Sequence, residues 1–533
     1  MSQDARRDEE VNTNRRAQIL GLQYIDTSSN GDKQLYKDLI TVSDLYATRV
    51  IPLMADEHNI TFGVTNTTSQ QTMTSLRQRF IEQRVAFALI SDAGFREYMK
   101  LYDPPKVIEY HEIAISGAGN QEQVKQVSDV LAQVRADDML AYLVQQAHRL
   151  NASDIHLETQ RDNSRIRFRV DGVLHKIADL ENDKYRVLIA AIASAGNVST
   201  GSPDAQQGHI AQIVTMADGS RVDVNVRLET VPTINGIDVV MRLFNMDQAM
   251  YNLDRLGLST HERSVVDDII AKPSGLVMVV GPTGSGKTTT LYSMLNSLNN
   301  EERKIITVED PVEYQFAGIT QIPVTSQNSA EAHFANKLRA VLRLDPDIVM
   351  VGEIRDNDTA KTALQAALTG HLVLSTFHAG SAAAALTRLM DVVGENPLFV
   401  SAIRLVMAQR LVRRLDDATK IAYQPDASTI SYLQQIVDSL PPETEKPQIE
   451  GLQLYKPGSS AENAYGYSGQ IALREQFLMK SHVIEVLTGA TKPTTQQIDA
   501  AAVASGMRTM LQDGILKVIA GQTTLDEILR VIG

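Results

Sequence analysis

The stretch that decides the fold is Gly281-Pro282-Thr283-Gly284-Ser285-Gly286-Lys287-Thr288, followed by Thr289. It satisfies every fixed position of the phosphate-binding loop pattern G-x-x-x-x-G-K-[ST]. The apolar run 276–280 before it is typical of a buried parallel strand, and residues 289–295 can continue as a helix. Strand, glycine loop and helix in this order form an anion site, because loop amides and the helix N-terminus point at one place. These flanks disfavour a plain glycine-rich turn. We expect Lys287 to reach the β- and γ-phosphates and the Thr288 hydroxyl to bind Mg²⁺.

Length and composition limit the class of protein. A chain of 533 residues is too long for one core and predicts two to four domains. An apolar share of 43% and a charged share of 22% are typical of a soluble globular protein. The net charge of −13 argues against a primary role on nucleic acid. The sequence has no cysteine, which excludes disulfides, thiol catalysis and cysteine-bound zinc.

The sequence also bears on location. No apolar run approaches the roughly 20 residues that span a bilayer. The first sixteen residues are polar and charged, without the apolar core of a signal peptide. We therefore expect a cytoplasmic protein.

Changes in pattern along the chain predict its organisation. Apolar strands alternate with helices after residue 250, as a doubly wound α/β sheet requires. An Asp171-Gly172 turn between two alternating segments predicts a hairpin. The predicted regions are a disordered tail (1–16), an N-terminal α+β domain (17–103), a linker (104–125), a second α+β domain (126–247), an ATPase core (250–415) and a C-terminal region (416–533).

Three polar clusters follow the phosphate loop. Carboxylates at 309–313 come after one predicted strand, Glu353 comes after another, and His371 and His378 flank a third. Taken singly, acidic residues at strand ends are as often solvated loop charges, and histidines seven apart do not match a helical metal pair. Behind a complete phosphate loop, the clusters together predict ATP hydrolysis. One carboxylate would activate water, another would help to hold Mg²⁺, and cationic donors would meet charge on the γ-phosphate.

With these motifs the chain resembles the motor ATPases of type II secretion and type IV pili, which comprise the secretion, pilus extension and pilus retraction ATPases. Four family motifs occur in order. They are the Walker A loop (281–288), the Asp box (308–314), the Walker B segment (344–356) and the His box (369–378). The segments 152–158, 169–172 and 409–413 are also typical of the family.

The resemblance implies an α/β fold. A RecA-like P-loop core would follow a PAS-like α+β domain and a small N-terminal α+β domain. It also implies roles for residues that the motifs contain. These are Glu313 as general base, Glu353 as the Walker B carboxylate that holds Mg²⁺ with Thr288, His371 and His378 as γ-phosphate sensors, and Arg227 and Arg242 as arginines that the second domain swings toward the phosphates.

The resemblance further implies a cytoplasmic homohexamer that hydrolyses ATP to assemble a type IV pilus or a type II secretion pseudopilus. It would lie at the inner membrane through a platform protein and a recruiting protein. More than a hundred residues precede the motor, and residues 20–26 resemble the start of extension and secretion ATPases. Both features favour assembly over retraction. The alternatives are a retraction motor or type IV secretion ATPase, a nucleic-acid translocase or helicase, and a scaffold that binds ATP without hydrolysing it.

Two features depart from the family pattern. Extension and secretion ATPases commonly carry four zinc-binding cysteines after the His box, and this chain has none. We therefore expect ATP and Mg²⁺ as ligands and no zinc. Some relatives bind a cyclic dinucleotide through an Arg-Leu-Gly signature, but residues 18–21 are Gln-Ile-Leu-Gly. The missing arginine predicts no such binding.

Overall fold

The computed structural model describes residues 3–27, 33–103, 113, 121–215, 221–244, 251–324, 330–394, 398–460, 463–489 and 491–533. They divide near residue 246 into two compact units. None of the helices in these ranges combines the length and the apolarity needed to cross a membrane.

The first unit begins with a small mixed sheet. Its elements are α1 (Gln3–Leu20), β1 (Gln23–Tyr24), α2 (Val42–Thr48), β2 (Val50–Ala55), β3 (Asn59–Val64), α3 (Gln70–Arg79), β4 (Arg84–Leu89) and α4 (Asp92–Tyr102). Four described strands pair in the order β1-β4-β3-β2, and only the β2–β3 pair is antiparallel. Hydroxyl N-caps at Thr41, Ser69 and Ser91 start α2, α3 and α4.

The prediction of a disordered tail over residues 1–16 is wrong from Gln3 onward, where α1 begins. Carboxylates fix this polar helix to the sheet domain. Glu10 accepts hydrogen bonds from the hydroxyls of Tyr24 (2.7 Å) and Ser91 (2.6 Å), and Glu9 accepts one from the Ala93 amide (3.0 Å). The composition of residues 1–16 gives no sign of these hydrogen bonds, because the residues that donate them lie outside the helix.

The same unit contains an antiparallel sheet. Its elements are α5 (Gln121–Gln133), α6 (Ala136–Arg149), β5 (Asp154–Thr159), β6 (Ser164–Val170), β7 (Val173–Leu180), α7 (Asn182–Gly196), β8 (Gln206–Thr215), β9 (Arg221–Thr233) and β10 (Gly236–Phe244). Six described strands pair in the order β7-β6-β5-β10-β9-β8. The predicted hairpin is confirmed: Asp171 (φ 49°) and Gly172 (φ 79°) join β6 to β7 with the positive φ values of a tight two-residue turn. Helix α5 begins inside the range predicted as linker; apart from residue 113, residues 104–120 of that range lie outside the described residues.

The second unit is built on a sheet of seven described strands. Its elements through the core are α8 (Thr260–Ile270), β11 (Gly275–Val280), α9 (Lys287–Leu298), β12 (Ile305–Glu309), β13 (Thr320–Pro323), α10 (Ala330–Val341), β14 (Ile348–Val351), α11 (Asn357–Leu368), β15 (Leu372–Phe377), α12 (Ala382–Val393), α13 (Leu398–Ala402) and β16 (Ile403–Leu415). The remaining elements are β17 (Ile421–Tyr423), α14 (Ala427–Asp438), β18 (Leu454–Lys456), β19 (Tyr467–Leu478), α15 (Ser481–Leu487), α16 (Thr495–Ala504), α17 (Met510–Ile519) and α18 (Leu525–Ile532).

Strand β11 lies in the interior of this sheet, whose described strands pair in the order β13-β12-β14-β15-β11-β16-β19. Every residue of β11 is buried. Leu276, Met278 and Val280 face one apolar core, and Val277 and Val279 face the other. The strand is therefore apolar on both faces, as a parallel strand covered by helices on both sides must be.

The domain boundary predicted between residues 415 and 416 falls inside this sheet. Strand β19 from the C-terminal region pairs antiparallel with β16 over residues 467–478 and closes one edge. Sequence periodicity could not assign β19 to the core, because its partner β16 lies more than fifty residues earlier. Strands β17 and β18 pair with each other nearby. The region after residue 415 is thus partly an extension of this sheet.

Candidate nucleotide site

The phosphate loop joins β11 to α9, as the sequence predicted. Gly286 caps α9 at φ 81°, a conformation that favours glycine. A Cβ at Gly281 would lie 2.4 Å from the Ser285 hydroxyl and 2.6 Å from the Gln409 carbonyl. The loop therefore packs closely on β16, which limits the room at both glycines.

Lys287 closes the loop on itself. Its Nζ donates hydrogen bonds to the carbonyls of Gly281 and Pro282, each at 2.9 Å. Burial lowers the pKa of Lys287, and the nearby charge of Glu353 opposes that shift. The ammonium is therefore held at the loop with an anionic neighbour, in a position to exchange these carbonyls for phosphate oxygens.

Gln409 on β16 is a site residue whose role the sequence did not indicate. Its buried amide donates to the Ser285 carbonyl (2.5 Å) and accepts from the Thr290 hydroxyl (3.0 Å). It thus ties the end of the loop to the start of α9. In the sequence, only the resemblance of segment 409–413 to the family pointed to Gln409, because the pairing of β16 with β11 cannot be read from the sequence.

Glu353 lies at the same sheet edge, two residues beyond β14. The loop that carries it is fixed by hydroxyls of the neighbouring strand β15. Ser375 donates to the Val351 carbonyl (2.9 Å), and Thr376 donates to the Gly352 carbonyl (2.6 Å). These buried hydrogen bonds determine where the backbone leaves β14, and hence where the carboxylate stands.

Glu353 and His378 are in direct contact. His378 Nε2 lies 2.9 Å from Glu353 Oε1, and Arg355 Nε donates to Glu353 Oε2 at 2.6 Å. Arg355 also lies 3.9 Å from an oxygen of Asp310 in the Asp box. The Glu353 side chain is 15% exposed. The Walker B segment, the His box and the Asp box therefore meet in one charged cluster at the carboxyl edge of the sheet.

The Asp box is fixed by a buried tyrosine on α9. The Tyr292 hydroxyl donates to the Glu309 carboxylate and accepts from the Glu313 amide at 3.2 Å. Glu309 also accepts from Thr307 and from Gln321 Nε2, so this buried carboxylate has several donors. Through Tyr292, the backbone at Glu313 is therefore linked directly to α9, the helix that follows the phosphate loop. Burial raises the pKa of Tyr251 to about 12, and the negative charge of Glu313 makes a smaller contribution to this shift.

His371 does not join this cluster. It precedes β15, whereas His378 follows it, and β15 runs parallel to β11. The two histidines are seven positions apart, so at about 3.3 Å per residue they lie roughly 23 Å from each other. The His371 carbonyl accepts the Gly275 amide (3.1 Å), and its Nδ1 contacts the Ala366 carbonyl (3.0 Å). Within one chain His371 and His378 therefore lie at opposite ends of β15, and of the two only His378 lies at the sheet edge that carries the phosphate loop.

Arg410 is a second residue that the sequence did not assign to the site. Its Nη2 donates to the Gly380 carbonyl (2.9 Å) in the loop after His378, and burial lowers its pKa. Glu475 on β19 accepts from the amides of Ala382 (2.8 Å) and Met510 (3.3 Å). Arg410 on β16 and Glu475 on β19 thus hold the loop that follows His378 in place.

Arg227 and Arg242 lie in the first unit, on β9 and β10. They are cross-strand partners in register. Arg242 Nε lies 2.9 Å from Asp154, and Arg227 lies 3.3 Å from Glu229. Both belong to a sheet face that also carries other charged residues.

The loop residues suit a triphosphate and its magnesium ion. The Ser285 hydroxyl is buried and has no hydrogen-bond partner within the described residues, as expected of a group that awaits a ligand. Thr288 is exposed at the start of α9, and Glu353 supplies a carboxylate. Among described residues no group of three or more His, Cys, Asp or Glu side chains could hold a metal ion. Mg²⁺ can bind at such a site, because it takes one or two oxygen ligands from the protein and completes its coordination shell with phosphate oxygens and water.

Comparison with known proteins covers most of the chain. A family model described as type II/IV secretion system protein matches residues 133–530. Type II secretion system protein E of Xanthomonas campestris pv. campestris is 37% identical over 79% of this chain and 71% of its own length. The protein of the same name from Pseudomonas aeruginosa is 37% identical over 85% of this chain and 88% of its own. The type IV pilus assembly ATPase PilB of Thermus thermophilus is 33% identical over 91% of this chain and 52% of its own length.

The structure of the ATPase DotB from Legionella pneumophila gives a TM-score of 0.53 at 22% identity, over 74% of this chain and 95% of that one. This likeness confirms the predicted RecA-like P-loop fold. The sequence matches confirm the predicted resemblance. The chain belongs to the type II/IV secretion system protein family.

Proposed function

We propose that this chain is the ATP-hydrolysing subunit of a motor that assembles a type II secretion pseudopilus or a type IV pilus. One observation carries the proposal. Lys287, Glu353 and His378 come from three different segments and gather at the carboxyl edge of one parallel sheet. Ligands bind at this edge in open α/β sheets. Relatives over most of the chain are named type II secretion system protein E.

In the proposed reaction, water attacks the γ-phosphorus as the bond to the β,γ-bridging oxygen breaks. Glu313 orients the water and takes its proton, and ADP and phosphate leave. Lys287 releases the carbonyls of Gly281 and Pro282 to meet the phosphate oxygens. His378 donates toward the γ-phosphate from its position beside Glu353. These groups stabilise charge that develops as the phosphoryl group transfers.

Thr288 and Glu353 would hold Mg²⁺, which when bound neutralises charge on the phosphate oxygens. Glu353 is already fixed by Arg355 at 2.6 Å, so its carboxylate is positioned before a ligand arrives. Such preorganisation reduces the ordering needed at the moment of reaction.

The wider assembly is part of the proposal. We infer a cytoplasmic homohexamer in which Arg227 and Arg242 of the second domain close on ATP and part after hydrolysis. A rigid-body change of this kind can turn a membrane partner. The partners would be an inner-membrane platform protein and a recruiting protein, and the motor would lie at the membrane through them. Nucleic acid is not among the expected partners, since the net charge is −13.

Retraction and type IV secretion remain the alternatives within the family. The relatives named for type II secretion match at 37% identity, and one named for type IV pilus assembly matches at 33% identity. Assembly is therefore the better-supported direction.

The test is steady-state release of phosphate by the full chain with Mg²⁺ and ATP. Lys287→Ala should abolish turnover, while Lys361→Ala on the exposed part of α11 should not change it. Glu353→Gln and Glu313→Gln should keep nucleotide affinity and lower turnover by about a hundredfold or more. Wild-type turnover in Lys287→Ala would refute the assignment, and equal loss of binding and turnover in both glutamine variants would refute the roles.

A second experiment addresses the partner. Co-purification with the inner-membrane proteins encoded beside this gene should recover a platform protein of a secretion or pilus machine. Stimulation of turnover by DNA or RNA would instead favour a translocase.

A further inference from the structure

One side chain from a neighbouring strand joins both ends of the Asp-box loop, which we define as residues 309–316. Gln321 lies on β13, the edge strand beside β12. Its Nε2 donates hydrogen bonds to Glu309 Oε1 (3.1 Å) and to the Tyr314 carbonyl (2.8 Å). Its Oε1 accepts a hydrogen bond from the Phe316 amide (2.8 Å). The start and the end of the Asp-box loop therefore meet at one side-chain amide.

The chemistry of a primary amide explains why glutamine suits this position. Residues 310–319 form neither a helix nor a strand, so side chains must supply partners for part of their backbone. A glutamine side chain has two N–H donors and a carbonyl acceptor, and Gln321 uses both donors and the acceptor. An ionised glutamate would keep the acceptor and lose both donors. Three hydrogen bonds of fixed direction thus hold the loop backbone in one shape.

Glu309 connects the same amide to Glu313. The Glu309 carboxylate is buried, and it accepts hydrogen bonds from Gln321 and from the Tyr292 hydroxyl. That hydroxyl in turn accepts the Glu313 amide at 3.2 Å. Gln321 also binds the carbonyl of Tyr314, the next residue in the chain. The backbone at Glu313 is thus fixed on both sides, and the direction of the Glu313 side chain follows from that backbone.

Aromatic packing holds the Asp-box loop in place independently of Gln321. Phe316 is buried, and the centroid of its ring lies 4.7 Å from that of Tyr314 and 5.1 Å from that of Tyr292. No substitution at Gln321 removes these rings, which contribute much of the apolar burial of the loop. A Gln321 variant should therefore fold and keep the loop near its place, while the backbone around Glu313 gains freedom.

We propose that Gln321 is a positioning residue for Glu313: its amide fixes the Asp-box loop so that the Glu313 carboxylate stands where it takes the proton of the attacking water. The inference rests on the proposed function, in which Glu313 is the general base. It adds a residue from the edge strand β13 that acts through the loop and not on the nucleotide. Nucleotide binding belongs to the phosphate loop, a different segment. Gln321 should therefore control kcat and leave KM unchanged.

The experiment measures steady-state phosphate release by the full chain with Mg²⁺ over a range of ATP concentrations. Gln321→Met keeps the length of the side chain and removes all three hydrogen bonds. It should lower kcat about tenfold to a hundredfold, with KM and the affinity for a nonhydrolysable ATP analogue within about twofold. Gln321→Glu loses both donors and places a second carboxylate beside Glu309, so kcat should fall at least as far. In a Glu313→Gln background, Gln321→Met should change the remaining turnover by less than about twofold, because no base is left to position.

Gln512 on α17 provides the matched control. Its buried amide has the same pattern, because Nε2 donates to the Ser439 carbonyl (2.8 Å) and hydroxyl (3.1 Å) and Oε1 accepts from the Thr509 amide (3.0 Å). The proposed reaction uses none of these three residues. Gln512→Met should therefore lower the urea midpoint of unfolding as Gln321→Met does, but leave kcat within about twofold.

Each result is decisive. A fall in kcat at unchanged KM that is confined to the Gln321 variants and absent beside Glu313→Gln supports the proposal. An unchanged kcat in Gln321→Met, a loss of analogue affinity in its place, an equal loss of kcat in Gln512→Met, or a loss that persists beside Glu313→Gln would each overturn it. If Gln321→Met does not fold, Gln321→Glu decides by the same criteria. If Glu313→Gln keeps wild-type turnover, the proposed base fails and this inference fails with it. If Glu313→Gln loses turnover and the Gln321 variants do not, only the inference about Gln321 fails.

Discussion

His378 Nε2 lies 2.9 Å from Oε1 of Glu353, so the His box and the Walker B segment share one hydrogen-bonded pair at the carboxyl edge of the sheet. His371, at the other end of β15, has backbone carbonyl contacts instead. The two histidines of one motif thus have different environments, although they look alike in the sequence.

We therefore predict different outcomes for two matched substitutions. His378→Ala should lower the turnover of ATP by about tenfold to a hundredfold with little change in nucleotide affinity, because Glu353 loses a positioned partner. His371→Ala should keep turnover within about threefold, a difference below 1 kcal/mol. Phosphate release and nucleotide titration measure both effects. Equal losses in the two variants would contradict the separation of roles.

The hydroxyl of Tyr292 links Glu309 to the Glu313 backbone, and Tyr292→Phe removes this group while keeping the ring. The buried Glu309 carboxylate then loses one donor and the Glu313 amide loses its acceptor. The free energy of unfolding should fall by about 1–3 kcal/mol. Turnover should fall about tenfold at unchanged affinity, if Glu313 is the general base. Urea unfolding and phosphate release test this, with Tyr432→Phe on α14 as the control. Unchanged turnover would separate the hydroxyl from catalysis.

Gln409 is predicted to control the shape of the phosphate loop. Gln409→Leu keeps most of the volume but leaves the Ser285 carbonyl and the Thr290 hydroxyl without their partners. Because both groups are buried, we expect a loss of about 1–3 kcal/mol in stability and a weaker affinity for ATP and ADP alike. Thermal unfolding and nucleotide titration measure the two effects. Gln434→Leu, on the exposed side of α14, should show neither; a normal affinity in Gln409→Leu would refute the role.

Glu527 is predicted to fasten the last helix to the sheet in a pH-dependent way. Burial alone raises the pKa of Glu527, but hydrogen bonds from Arg530 and Arg413 outweigh it and lower the pKa from 4.5 to about 2. A depressed pKa gives stability that is present above pH 4.5 and is lost as the pH falls toward 2. Glu527→Gln should therefore cost on the order of 3 kcal/mol at pH 7.

The difference between Glu527→Gln and the unmodified chain should shrink steadily below pH 4.5. Urea unfolding followed by circular dichroism at pH 7 and at pH 4 measures it. Asp526→Asn, one residue earlier and exposed, should give a small difference at both values. A cost for Glu527→Gln that does not depend on pH would contradict the ion-pair account.

The sequence by itself determined the local features of this protein. The loop from Gly281 to Thr288 and the apolar strand before it follow from neighbours in the chain, because glycine, lysine and an apolar run act over a few residues. The Asp171-Gly172 hairpin followed for the same reason. The helix at α1 was missed, since its stabilising partners lie far away in the chain.

Only the tertiary structure decided which residues share an edge. Because β15 runs parallel to β11, His378 lies at the end of β15 next to the phosphate loop and His371 lies at the opposite end. The parallel pairing of β16 with β11 places Gln409 beside Ser285. Antiparallel register aligns Asp154 with Arg242, 88 positions later. Strand pairing joins residues that are distant in the chain, and the choice of partner depends on burial of the whole sheet. A reader of the sequence sees each strand, but not which strand lies next to it.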